Sequence, residues 1–291
     1  MNGIRLDHSL FLLGALLAAT AHAQWANFRE PGTPRTSDGK PNLAAPAPKA
    51  ADGKPDLSGV WMHEATTAAE MKSLYGAIID QAIKVDAPGM EIGTQHKYAF
   101  NLLVDFRPEE SPERPETAEQ VRRNLARMQS SGGCGGEFSS AEFGFPLAGL
   151  LSEPIKIVEA PRLTMILYEA GNVYRQIHTD GRSLPKEFDL LAFNGYSAGH
   201  WEGDTLVVET GGFNDKTWLD GMGHPHSEAL RVTERFRRRD FGHLDYELTF
   251  DDPRMYTKPF TVKIPHELLP DTDIFEMYLE NEKDCAHIGK R

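Results

Sequence analysis

Within the stretch GMGHPHSEALRVTERFRRRD, Gly221 to Asp240, four side chains are of types that do chemistry: His224, His226, Glu228 and Glu234. A His-x-His tripeptide can present two imidazoles in one direction. With Glu228, and with His178 from a neighbouring strand, it makes a candidate 2-His-1-carboxylate set for a divalent metal, zinc or iron. Gly223 and Pro225 spell a turn, however, and His-x-His also occurs on strands that bind nothing. Three readings stand side by side: a metal site at His224, His226 and Glu228; a metal-free histidine in acid–base or hydrogen-bonding work; and structure alone.

Glu234 is singled out by parity. In SEALRVTERF the even positions are Glu228, Leu230, Val232, Glu234 and Phe236, and the odd ones are Ala229, Arg231, Thr233 and Arg235. If Leu230, Val232 and Phe236 face a core, Glu234 faces it too, and Glu228 and His226 share its parity. A carboxylate on an inner face is costly unless paired or hydrogen-bonded. Glu234 is therefore a candidate catalytic carboxylate, or else half of an ion pair with an Arg at the rim.

Other chemistry-bearing residues lie on both sides. In NVYRQIHTDGR, Val173, Arg175 and Ile177 share one face and Tyr174, Gln176 and His178 the other. The first face reads as core, which turns His178 outward, to be used only at a barrel mouth. In GYSAGHWEGD, Tyr196 is a candidate proton donor or oxyanion stabiliser, and Trp201 precedes a tight turn. The loop GGFNDKTWLDG carries Asn214, Asp215, Trp218 and Asp220 and leads into His224; loops on rigid β scaffolds often carry function. Trp201, Trp218, Asn214 and His178 are the candidate substrate-binding residues. His243 reads as solvated, and His266 as the end of a strand. No P-loop, H-E-x-x-H or C-x-x-C-H is present, which disfavours nucleotide chemistry and c-type haem.

The elements that must position these residues change character along the chain. Residues 24–56 are rich in Pro, Gly, Ala and Lys and read as a flexible tether; inside it DGKPNL is echoed by DGKPDL. Gly59-Val60-Trp61 is a G-x-W. It resembles the opening of the first strand of lipocalin-like barrels, where the Trp plugs the barrel floor. Helical spacing of Met71, Leu74, Ile78, Ile79 and Ala82 predicts a helix from Thr66 to about Lys84. PETAEQVRRNLARMQ, Pro115 to Gln129, predicts another, acidic early and basic late. YAFNLLVDF between them reads as a possible strand. From Pro154 onward, about eight strand candidates follow one another with turn signals at regular spacing and no helix. The expected fold is mainly β: an antiparallel up-and-down, lipocalin-like barrel of about eight strands with a small helical N-terminal part. The division is 57–150 for the first strand plus helical cover and 151–291 for the barrel.

The ends and the composition set the context. Arg5 followed by the apolar run SLFLLGALLAATA and Ala21-His22-Ala23 has the form of a signal peptide over residues 1–23, cleaved after Ala23. The run is too short to span a membrane comfortably, and the expected location is periplasmic or secreted. A formal charge of −12 argues against nucleic acid and anionic membranes as partners. In an oxidising compartment the two cysteines, Cys134 and Cys285, are expected to form a disulfide.

Several long motifs carry a wider likeness. DGKPDLSGVW, GYSAGHWEGDTLVVETGGFNDKTWLD and GHPHSEALRVTERFRRRDFGHLDYELTFDDP resemble those of a large family of secreted bacterial proteins. The likeness covers most of the chain after Asp52. It implies a secreted, mainly β protein and no particular activity. Chemistry then points to an enzyme acting on a small, partly apolar molecule by acid–base or metal-assisted lyase, isomerase or hydrolase chemistry. In that reading His224, His226, Glu234 and Tyr196 are catalytic. The alternative is a lipocalin-like carrier in which the same groups orient a small-molecule ligand; a structural envelope protein would need no site at all.

Overall fold

The computed structural model describes residues 29–76, 96–130, 144–151 and 153–276. Cys134, Cys285, the leader and the second half of the helix expected to reach Lys84 lie outside them.

Among the described residues there are ten strands: β1 (Gly59–His63), β2 (Ile155–Ala160), β3 (Leu163–Tyr168), β4 (Val173–His178), β5 (Tyr196–Glu202), β6 (Thr205–Gly211), β7 (Arg231–Arg238), β8 (His243–Asp251), β9 (Phe260–Lys263) and β10 (His266–Leu268). They pair in chain order from β1 to β8, and β10 then bridges β8 to β1, closing a nine-strand barrel. Strand β8 is long enough to serve two partners on one edge. His243 and Leu244 face β10, while Glu247 to Phe250 face β9, which continues outside the ring. Pro265, lacking an N–H, marks the break between β9 and β10.

A fully antiparallel ring needs an even number of strands. With nine, one junction has to be parallel, and it falls between β4 and β5, where Ile177 and His178 pair with Ser197 and Ala198. The expectation of about eight antiparallel strands thus holds for class and topology and is corrected at this junction. Two ring strands are not among the eight expected from Pro154 onward: β1, placed above with the helical cover, and the short β10, read only as a strand's end at His266. The segment from Asp273 to Glu276, expected to open a last strand, is irregular.

The barrel floor is built on Trp61, which is fully buried and donates from Nε1 to the Leu57 carbonyl at 2.9 Å. The Arg238 guanidinium lies 4.9 Å from its ring and donates to the carbonyls of Asp56, Ser58, Asp240 and Phe241. Burial pushes the Arg238 pKa down to about 10 against the pull of Asp56 and Asp240. Covering an indole this way removes roughly 200 Å² from water, about 5 kcal/mol as an upper bound.

From Arg29 the expected tether is docked structure rather than free chain. The two echoed hexapeptides are the same hairpin repeated. Thr36 and Lys40, Gly39 and Thr36, and Asn42 and Pro34 are joined by backbone hydrogen bonds; so are Ala50 and Lys54, Gly53 and Ala50, and Asp56 and Pro48. Gly39 and Gly53 turn each hairpin at φ +85 and +82, a region glycine enters freely. The first hairpin is tied down by the Arg35–Asp271 ion pair at 2.5 Å, and by hydrogen bonds from Gly242 to Leu43 and Phe241 to Ala45.

The opposite end is closed by irregular chain. Helix α1 (Ala68–Tyr75) starts at a Thr67 cap. The expected strand YAFNLLVDF is instead one helical turn, α2 (Lys97–Phe100), followed by turns. His96 caps it by accepting from Tyr98 N, Asn101 accepts from Leu103 N, and Leu102 and Leu103 then face into the barrel mouth. Residues 144–150, all buried, fill the rest of that end. Helix α3 (Pro115–Ser130) matches the expected helix. It packs through Thr117, which donates to the Met255 carbonyl at 2.6 Å, and Asn124, which donates to that of Gly223 at 2.7 Å.

Candidate functional site

The parity of β7 is as the sequence reads: Leu230, Val232, Glu234 and Phe236 are each no more than 1% exposed. Glu234 is in the barrel interior, not at its rim, and its partner is Arg175 from β4. The two form a bidentate pair with N···O distances of 3.0 and 2.6 Å. Tyr246 donates to Glu234 Oε1 at 2.6 Å. Arg175 also donates to Tyr168 at 3.0 Å, Ser197 at 3.1 Å and Thr210 at 3.2 Å, while the Phe145 ring covers its face at 3.5 Å. Its Nε is a buried donor without a partner among the described residues. Burial next to Glu234 pushes the Tyr168 pKa up to about 12 and raises that of Tyr246 as well. The arrangement is an ionic layer across the lumen, with both Glu234 oxygens engaged and both terminal Arg175 nitrogens bonded.

From Tyr246 the polar layer continues to three buried imidazoles. His266 lies 5.5 Å from the Tyr246 ring, His63 lies 6.2 Å from His266, and His96 lies 5.9 Å from His63. His266 begins β10 rather than ending a strand, and its Nδ1 donates to the Ile264 carbonyl at 2.7 Å. Burial, with His63 adjacent, holds the pKa of both His96 and His266 down to about 3.

The second polar centre is at the mouth, in the hairpin that Leu219 closes by donating to the His224 carbonyl. Asp220, fully buried, accepts from the amides of Leu102, Met222 and His224 and holds His224 Nδ1 at 2.6 Å. The other ring nitrogen faces Glu113 Oε1 at 3.6 Å, beyond hydrogen-bond length but close enough for charge attraction. Glu113 comes from the Pro/Glu-rich turn before α3, and its side chain is 20% exposed. Burial works against a charged His224 ring, yet Asp220 and Glu113 outweigh it and raise the pKa above the ordinary imidazole value. The ring is therefore an acid with its tautomer set by Asp220 and one side turned to a partly open carboxylate.

The remaining candidates separate. His226 is buried with Nε2 2.6 Å from Thr217 Oγ1 and Nδ1 3.3 Å from the Ser227 carbonyl, so both nitrogens have structural partners. Burial lowers its pKa. Glu228 is exposed. The expected His224, His226 and Glu228 metal set is thus not assembled, because Pro225 sends the two rings to different partners. Among the described residues no three His, Cys, Asp or Glu side chains stand close enough to hold a metal ion. Tyr196 is away from the lumen: its hydroxyl accepts from Arg182 at 2.9 Å and its ring lies 5.1 Å from His178. Both are half-buried on the outward face of their strands, as the parity of β4 requires. Trp201 packs against the core from a half-buried position. Asn214 makes a local turn by accepting from Lys216 N, and Trp218 bridges to Pro225 beside His224.

Sequence reasoning left out the partners. Arg175 was legible as a core-facing position by parity, but its pairing with Glu234 depends on strands 59 residues apart. Asp220 had a local signal, four residues before His224 in a Gly-rich turn. Glu113 had none, and neither did the meeting of His63, His96 and His266. The chain matches none of the known protein families, characterised proteins or solved structures with which it was compared, and its chemistry is read from its own geometry.

Proposed function

We propose that the protein is an exported β-barrel enzyme that acts on a small, partly apolar molecule by acid–base chemistry at His224. The observation that carries this reading is one imidazole held at 2.6 Å by buried Asp220 and facing half-open Glu113 at 3.6 Å. Asp220 orients the ring and stabilises its charged form. His224 donates a proton from Nε2 to the substrate and takes one back, and Glu113 bears on the charge at that nitrogen. Trp218, half-buried next to the same turn, offers an apolar wall. Glu234 moves out of the catalytic set in this proposal, since Arg175 and Tyr246 occupy its oxygens. The leader ending at Ala21-His22-Ala23 and the likeness to secreted bacterial proteins support export to a periplasm, where Cys134 and Cys285 would be paired.

The test is a panel of small aryl esters, lactones and enolisable ketones assayed against wild type, His224→Gln and Glu113→Gln. General acid–base catalysis contributes about 10²–10⁴-fold. His224→Gln should lose at least about 100-fold in kcat with little change in KM. Because the raised His224 pKa reflects its carboxylate partners, the wild-type activity should fall as pH rises through that value, and in Glu113→Gln this limb should move to lower pH. Unchanged kcat in His224→Gln removes the proposal. Binding without turnover of any panel member leaves the carrier reading in its place.

A further inference from the structure

The barrel is closed by its shortest strand. β10 has three residues, and among the described residues it alone joins β1, through Trp61–Leu268, Met62–Glu267 and His63–His266, to β8, through Leu244–His266 and His243–Glu267. His266 belongs to both ladders. Its ring and those of His63 and His96 are buried together, 1%, 5% and 7% exposed, and meet edge to face. The closure of the ring therefore runs through a cluster of three titratable side chains.

Their hydrogen bonds fix what a proton would do. His96 Nδ1 accepts from Tyr98 N, so a neutral ring carries its proton on Nε2; a second proton on Nδ1 destroys the cap of α2. His266 Nδ1 donates to Ile264, leaving Nε2 as the basic position inside the cluster. Among the described residues the following charged and titratable groups face His96 and His266. From the α2 side come Lys97, which repels a charged His96, and Asp105, which offsets it while bound to Lys97 and Tyr98. From β8 comes the neutral Tyr246, and behind it Glu234, whose charge is matched by Arg175. Among the described residues no carboxylate touches His266, so a proton there is adjacent to a second imidazole and offset by none of them.

We propose that His63, His96 and His266 form an acid latch: protonation of the cluster frees β10 from β1 and opens the barrel at this one seam, while the β5–β8 wall stays folded. Opening leads from solvent to Tyr246 and the Arg175–Glu234 layer, giving a small molecule an entry into the lumen that is shut at neutral pH.

Hydrogen exchange of the full-length protein between pH 6 and pH 4, corrected for intrinsic rates, tests this. Uptake of two protons on opening makes the opening constant rise about 100-fold per pH unit, and of one proton about 10-fold. The amides of β1 and β10 should show the steeper slope while β5–β7 keep their protection. His96→Asn keeps a capping acceptor but cannot titrate, and its seam amides should follow the shallower slope. His266→Gln should do the same, and His96→Asn alone suffices if that variant fails to fold. The latch is overturned if β1 and β10 stay protected to pH 4, if all strands lose protection together, or if His96→Asn leaves the slope unchanged.

Discussion

At the scale of single residues, Glu234 and Arg175 show how a charge is carried inside a barrel. Each is nearly inaccessible, at 0% and 1% side-chain exposure, and each satisfies the other. Removing one charge leaves its partner buried alone, which costs about 3–5 kcal/mol, whereas replacing both with apolar groups is often tolerated. Glu234→Gln should therefore lower urea stability by about 3 kcal/mol or more, and Arg175→Met combined with Glu234→Leu should recover at least half of that loss. A Glu234→Gln cost below about 1 kcal/mol would show that the pair does not hold the lumen together. Strand parity made the inward direction of both residues legible in the sequence. It could not say that they meet, because the meeting depends on ring closure. The same limit applies to His224: the turn and Asp220 are local, whereas Glu113 arrives from another part of the chain.

Among the elements, the repeated hairpin separates composition from structure. A segment so poor in apolar residues reads as tether, because burial is too small to offset chain entropy. What holds it is backbone pairing within each hairpin, a few buried anchors such as Ala45 and Leu57, and the Arg35–Asp271 tie. Gly53 offers a clean test, since a Cβ there would meet nothing within 4 Å and the φ of +82 is the sole obstacle. Gly53→Ala should cost about 1–2 kcal/mol in thermal unfolding if the hairpin is part of the folded unit. A free tether would give no change. The strands themselves were legible from alternation and turn signals. Their number was not, because β10 is three residues long and β1 stands far from the others in sequence.

For the whole molecule, the buried ionisable groups set a pH window. His96 and His266 have folded pKa values near 3, below the ordinary 6.5. Their contribution to stability is complete above 6.5 and is lost as pH falls from there toward 3. Glu159, which accepts from Leu57 N beside Asp56, is pushed up to about 7 by burial and by its acidic neighbours. Its contribution is complete below 4.5 and is lost as pH rises through 7. His224, raised by Asp220 and Glu113, likewise loses its contribution on the alkaline side. Two histidines outweigh one carboxyl between 4.5 and 6.5, so melting temperature should peak near pH 6.5–7 and fall on both sides. Glu159→Gln should steepen the rise in stability between pH 4.5 and 6.5, and an unaltered slope there would rule out that assignment.

The single parallel junction between β4 and β5 has a consequence for how such a barrel can vary. Adding or deleting a hairpin changes the ring by two strands and leaves its count odd. No series of hairpin insertions could therefore give a uniformly alternating ring; one discordant junction would always survive, though it could migrate. In this chain it is spanned by the long crossover of residues 179–195 and held by only two residue pairs. The seam is thus a topological remainder, and the natural place to cut and re-join the chain with new termini.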